Sequence, residues 1–224
     1  NDIYYKELYQ NIANWKVYTY KENTKNGFAA YAFINDDNEV VISYRGSIPF
    51  NEWGNDLSDA WNDWVLNDLP MIFGNHDTNK TQFYDAIEFY EDIAKDSSIK
   101  TIATTGHSLG GAWANVISVY SGCYCESFNA ISALDVVYKS YPEYMGKTFD
   151  GVNNYNFTDH VNENDTCAGV FGKEQKNYKV HKSLYNWGTF GNHSLHSMII
   201  KTGNKLEMTD VSETHRHNSS LLWN

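Results

Sequence analysis

The sequence predicts an α/β fold with a mostly parallel central sheet and flanking helices. Two observations carry this. β-branched apolar runs alternate with helical stripes along the chain, and one such run passes through a glycine-flanked serine into small, helix-compatible residues. Sheets of this kind bind ligands at the carboxyl ends of their strands, and Ser108 falls at one of those ends.

Taken in order, Tyr4, Leu8 and Ile12 recur at four-residue spacing and predict a short helix over residues 3–14. GFAAYAFIND and EVVISYRG flank Asp36-Asp37-Asn38 and read as two extended segments joined by a turn. Phe83, Ile87, Tyr90 and Ala94 make one stripe with acids opposite, a helix over residues 81–95. IKTIATT reads as a buried strand, GGAWANVISVY as a helix, and CESFNAIS and VNNYNFT as further strands. No repeat, low-complexity run or Pro/Gly-rich linker interrupts the chain. One domain over residues 1–224 is therefore expected.

Composition narrows the function. A formal charge of −11 argues against nucleic acid, whose phosphates need Lys and Arg, and against electrostatic docking on anionic lipid. No apolar run approaches the ~18 residues of a membrane-spanning helix. Cys123 and Cys125 are two apart, where a mutual bridge would be strained, and with Cys167 they form no zinc-ligand pattern. They read as buried or idle thiols, and no metal or cofactor is implied. The chain starts at Asn1 without an initiator Met or an apolar signal segment. It reads as a soluble, trimmed product, with secretion and signal removal favoured over a cytoplasmic location. The sequons at Asn164 and Asn192 overlap candidate catalytic residues, which argues against a glycosylating secretory route.

Gly106-His107-Ser108-Leu109-Gly110 fits G-x-S-x-G, the nucleophile elbow. Its chemistry explains its glycines. The serine must sit on a sharp, strained turn, so the residues two before and two after it carry no bulky Cβ. The helix that begins there aims backbone N–H groups and a positive dipole end at a developing oxyanion. The preceding β-branched run, and Gly111, Ala112 and Ala114 after it, suit close packing of that helix on the sheet. The alternative is a serine that merely occupies a strand-to-helix turn.

TGHSLGG resembles the nucleophile segment of the class-three lipases, the α/β-hydrolase family that includes filamentous-fungal lipases and related bacterial proteins. The family often continues Ala-Leu-Ala; here Ala112-Trp113-Ala114 stands, a change that bears on packing or on the pocket wall. The resemblance covers roughly residues 28–200 in order. It implies the α/β-hydrolase fold and ester hydrolysis by a Ser-His-Asp triad.

A serine hydrolase needs at least two donors for its oxyanion. The N–H of Leu109 supplies one by position. VVISYRGS ends a strand at Arg45-Gly46-Ser47 and resembles the family's R-G-S/T loop, which implies Ser47 as the second. The acid and histidine follow the serine in this fold. YNFTDHVNENDTCAG offers Asp159, Glu163 and Asp165; the family context selects Asp165, with Asp159 within the strand as the alternative. NHSLHSMII resembles the family segment in which His-Ser precedes an apolar helix start, which selects His193, with His196 one turn away. His215 and His217 read as solvated. His107 reads as a packing residue rather than a base, pointed away from Ser108, and as a candidate for the substrate wall.

Between Ser47 and Lys80 there are acids and no Lys or Arg, and Trp53, Leu57, Trp61 and Trp64 share one apolar stripe. NEWGNDL resembles the W-x-x-D-L of the fungal lid. The segment around 48–77 reads either as an aromatic lid or acyl-binding wall or as an ordinary amphipathic helix packed on the sheet. The leading function is therefore a carboxylic ester hydrolase of lipase or phospholipase A1 type, in transient contact with a lipid interface. An esterase on soluble acyl or feruloyl esters is the rival within the class. A catalytically silent binding protein on the same fold is the rival from another class, and the set Ser108, Asp165, His193 and Ser47 argues against it.

Overall fold

The structure, a computed structural model, describes residues 12–46, 81–131, 133–134, 137, 140–145, 156–165, 177–184, 192–202 and 205–215. Among the described residues the main sheet has eight strands in the spatial order β1 (Lys16–Asn23), β2 (Phe28–Ile34), β3 (Glu39–Tyr44), β4 (Thr101–His107), β5 (Tyr124–Phe128), β6 (Phe157–Asn162), β7 (Tyr178–His181) and β10 (Val211–His215). β8 (Ile199–Thr202) and β9 (Lys205–Met208) form a separate antiparallel pair. Strands β3 to β7 run parallel, each paired with the next. The two edges are antiparallel: β1 on β2 on β3 at one side, β10 on β7 at the other. Helix α1 (Gln82–Ala94) precedes β4, α2 (Leu109–Ser121) joins β4 to β5, and the short α3 (Pro142–Met145) precedes β6. This is the predicted mostly parallel sheet with flanking helices.

Helix α2 organises the core. It is buried from Leu109 through Val119, lies across β3 to β6 and packs against α1 and α3. A helix apolar on all sides needs cover on all sides, and its alanines let the backbone approach the sheet closely. Trp113, the departure from Ala-Leu-Ala, is a packing residue. It is completely buried, and its indole Nε1–H donates to Gln82 Oε1 at 2.9 Å, tying α2 to the start of α1. Gln82 in turn donates to the carbonyl of Asn26 at 2.7 Å, so the tie reaches the β1–β2 turn.

The β2–β3 turn, α1, β4, α2 and β5 lie where the sequence pattern predicts them. Other elements differ. β1 was not expected, because most of its side chains are exposed and its half-buried face carries polar Thr19, Lys21 and Asn23. The strand read at VNNYNFT begins at Phe157 and runs on through polar residues to Asn162, because Asp159 and Asn162 are buried in hydrogen bonds. The apolar helix expected after His193 is a 3₁₀ turn at Leu195–Ser197 followed by β8, where β-branched Ile199 and Ile200 favour extended backbone. The helix expected over residues 3–14 falls partly on residues 3–11, outside those described, and partly on a turn at 12–14.

Cys123 and Cys125 are free thiols, both raised in pKa by burial; Cys167 lies outside the described residues. Glu126, His160 and His181 form a hydrogen-bonded chain across β5, β6 and β7, with His160 Nδ1 2.7 Å from His181 Nε2 and His181 Nδ1–H on the Thr209 carbonyl at 2.8 Å. These histidines brace the sheet edge.

Trp113→Ala should lower the free energy of unfolding by about 3–5 kcal/mol, and Trp113→Phe, which leaves the Gln82 carbonyl without its indole donor, by about 1–3 kcal/mol. Chemical denaturation of the two variants checks both; no loss in Trp113→Phe would mean that the indole N–H contributes nothing.

Candidate active site

The site forms where β4, β5, β6 and β7 end. β4 stops at His107 and α2 starts at Leu109, leaving Ser108 alone at the bend with φ 59° and ψ −126°. Non-glycine residues rarely hold positive φ, and such conformations cost on the order of 1–3 kcal/mol. Sterics enforce the bend. A Cβ on Gly106 would lie 2.3 Å from the carbonyl carbon and oxygen of Gly110, and one on Gly110 would lie 2.1 Å from the carbonyl oxygen of Tyr44. The strand, the helix and the end of β3 therefore meet backbone to backbone. Ser108 N–H donates to the Phe128 carbonyl at 3.1 Å, which ties the elbow to the end of β5. Leu109 N–H belongs to the first helical turn, where no carbonyl four residues back is available to it.

The chain leaving β3 passes beside the serine. A Cβ on Gly46 would lie 2.7 Å from the His107 carbonyl oxygen and 3.5 Å from Ser108 Cβ. Ser47 follows, but it lies outside the described residues, as do Trp53, Leu57, Trp61, Trp64 and the whole 48–77 segment.

His193 and Asp165 are brought together from separate loops. His193 Nδ1 lies 2.7 Å from Asp165 Oδ2, and both side chains are buried. A carboxylate only accepts, so the ring carries its proton on Nδ1 and presents Nε2 as the basic nitrogen. Asp159, the alternative acid, takes its hydrogen bonds from Ser127 and Ala130. Of His196 only the backbone is described.

Asn162, at the end of β6, links the acid loop to the histidine turn. Its Oδ1 accepts from Asn164 N–H at 2.8 Å and its Nδ2 donates to Ser197 Oγ at 2.5 Å, while Asp165 N–H closes a turn onto its carbonyl at 3.0 Å. Ser197 Oγ is 2.7 Å from the carbonyl of Ser194, in the His193 turn. The carbonyl of His193 itself meets His107 Nε2 at 2.6 Å and Asn129 Nδ2 at 3.0 Å. His107, expected as a packing residue and part of a substrate wall, thus turns its ring to the His193 backbone. Burial first, then the neighbouring His193, pushes His107 down to about 4.

Beneath this layer, Asp159 is completely buried in β6. Its Oδ1 accepts from Ser127 Oγ at 3.0 Å and Ala130 N–H at 3.2 Å, which holds the β5 exit around Asn129, while its Oδ2 has no hydrogen-bond partner. Burial raises the carboxyl from 3.8 to about 7, the charge of Asp165 adding to the rise and the two hydrogen bonds and His160 opposing it. Asn129 and Asn162 carried no sequence signal beyond their place at strand ends, and Asp159 was read only as the alternative acid.

Residues 5–169 match the family model described as Phospholipase-like: Tle-like phospholipase domain, a span that includes Ser108 and Asp165 and stops before His193. Among solved structures, the lipase from Rhizopus microsporus var. chinensis is 12% identical with a TM-score of 0.47, over 96% of this chain and 73% of that one. Lipase II from Rhizopus niveus is 17% identical with a TM-score of 0.48, over 81% and 70%. A triacylglycerol lipase from Penicillium expansum is 11% identical with a TM-score of 0.38, over 90% and 82%. No protein with a curated description matches the sequence.

The raised Asp159 carboxyl sets a pH dependence of stability. Between 3.8 and about 7 the folded chain keeps a proton that the unfolded chain has released. The contribution of this group to stability therefore falls as pH rises through that window and is flat above it. Asp159→Asn removes the group. Its melting temperature relative to wild type should rise from about pH 4 to about pH 7 and level off beyond; a gap that does not change with pH would refute the raised carboxyl.

Proposed function

As the chain belongs to the Tle-like phospholipase domain family, we propose that it is a serine hydrolase of lipid carboxylic esters, of lipase or phospholipase A1 type. Membership supports lipid ester hydrolysis. The observation that supports the serine mechanism is the buried His193–Asp165 pair at 2.7 Å, held by its backbone to the residue before a strained Ser108.

In this reading Nε2 of His193 takes the Ser108 hydroxyl proton as Oγ attacks the ester carbonyl carbon. Asp165 keeps the ring in the required tautomer and stabilises its cation. The tetrahedral oxyanion is held by the N–H of Leu109 and by Ser47, through its N–H and its hydroxyl. The imidazolium returns the proton to the leaving alkoxide, and the alcohol departs. Water, giving its proton to His193, then attacks the acyl-enzyme, and His193 passes that proton to Ser108 Oγ as the bond to the acyl carbon breaks and the fatty acid leaves. The tryptophan stripe of residues 48–77 is the proposed acyl-facing lid or wall, and the acidic balance of the chain favours neutral or zwitterionic over anionic lipid.

A panel of short p-nitrophenyl ester, triglyceride and phosphatidylcholine, run on wild type and Ser108→Ala, tests this. Fatty acid release from at least one of the lipids is expected, with turnover falling by up to ~10⁶-fold in the variant. Lipid hydrolysis that survives the substitution would overturn the serine mechanism. Turnover confined to the short ester would replace the lipid substrate with a soluble one.

A further inference from the structure

The main-chain carbonyl of His193 is the meeting point of two strand ends. His107 Nε2 comes from β4 and Asn129 Nδ2 from the residue after β5, at 2.6 and 3.0 Å. A carbonyl oxygen has two lone pairs and no proton, so both partners donate, and His107 is the tautomer protonated at Nε2. Each donor is itself fixed to the nucleophile. His107 is covalently next to Ser108, and Asn129 follows Phe128, whose carbonyl accepts from Ser108 N–H at 3.1 Å.

Asn129 has little freedom. It is completely buried, sits at φ 45°, donates its N–H to the His160 carbonyl at 2.8 Å and accepts from Asn162 N–H through Oδ1 at 2.8 Å. Its amide is thus split between two tasks. The oxygen holds the end of β6, from which the Asp165 loop departs, and the nitrogen holds His193.

We propose that His107 and Asn129 are positioning residues that clamp the His193 carbonyl, so that the imidazole held by Asp165 meets Ser108 in one geometry. This rests on the reading of Ser108 as nucleophile and His193 as base. A hydrogen bond at Nδ1 fixes the far end of the side chain but not the main chain of His193 at its near end. Two donors on the adjacent carbonyl fix the other end, and they do so from the strands that set the position of Ser108. A misplacement of about 1 Å at such a site can cost ~10²-fold in rate.

The chemistry of His107 suits the task. Its ring centroid lies 4.8 Å from that of His193, close enough for a charge on one to oppose a charge on the other. His107 is neutral at neutral pH, so it lends an N–H without adding a cation beside the imidazolium that His193 becomes during proton transfer. Lysine or arginine there would supply a donor and that unwanted charge together.

The test uses His107→Phe, His107→Gln, Asn129→Asp and Ser108→Ala, each assayed for kcat and KM on a short p-nitrophenyl ester and for melting temperature. His107→Phe fills the space without a donor and should lower kcat about 10–100-fold with KM within about twofold. His107→Gln restores an N–H near the same place and should recover most of that loss. Asn129→Asp tolerates positive φ but turns an acceptor toward the carbonyl, and should lower kcat as well. Equal kcat in the Phe and Gln variants, or losses that follow melting temperature alone, would overturn the clamp. If His107→Phe fails to fold, wild-type kcat in Asn129→Asp overturns it. Turnover unchanged in Ser108→Ala would overturn the nucleophile reading instead, a different outcome from a clamp that fails while Ser108 remains essential.

Discussion

Gly106 and Gly110 approach each other so closely that one methyl group on the first would fall 2.3 Å from the backbone of the second. That approach lets β4 stop, bend at one residue and begin α2 without a loop between them. Ser108 is left in a conformation that its own side chain disfavours, and the cost is carried by a helix buried from Leu109 to Val119. Gly110 also admits the backbone of Tyr44 and Arg45, so the end of β3 arrives at the same place. Any Cβ at these contacts would push apart the strand, the helix and the β3 exit together.

From that fixed point the parallel sheet does the rest. Adjacent parallel strands end side by side, so each exit loop can reach the next. β4 contributes His107 and Ser108, β5 leads to Asn129, β6 to Asn162 and Asp165, and the chain beyond β7 returns with His193. Most of the hydrogen bonds among them join a side-chain amide or hydroxyl to a main-chain group. This pattern fixes loops that have no ladder of their own. The buried carboxyl of Asp159 serves the same end one layer down, at a cost in stability that grows with pH.

The parallel core was legible because its elements are locally patterned: Phe83, Ile87, Tyr90 and Ala94 mark α1 by spacing, and the β-branched run before Ser108 marks β4. β1 was not legible. At this sheet edge the half-buried face carries Thr19, Lys21 and Asn23 and the exposed face Tyr18 and Tyr20, so no apolar core-facing stripe marks the strand. β6 was displaced in the sequence reading because its buried residues include Asp and Asn, whose burial depends on partners distant in sequence. At the site, Ser108, Asp165 and His193 were named from motif and order, and the structure sets the last two 2.7 Å apart. The part played by His107 and Asn129 was hidden for a physical reason: Asn129 meets His193 across 64 positions, a contact that neither spacing nor composition encodes. Ser47 and the tryptophan stripe lie outside the described residues.

Ser108 is the atom source on which the proposed chemistry turns. A fluorophosphonate reagent reacts with a serine only where a base and oxyanion donors activate it, and tandem mass spectrometry of the digested protein locates the bond formed. The result expected is a single phosphonyl adduct on Ser108, formed in the folded chain and lost on denaturation. A chain that stays unlabelled under conditions where it hydrolyses ester, or an adduct on another serine, would contradict the assignment of Ser108 as the nucleophile.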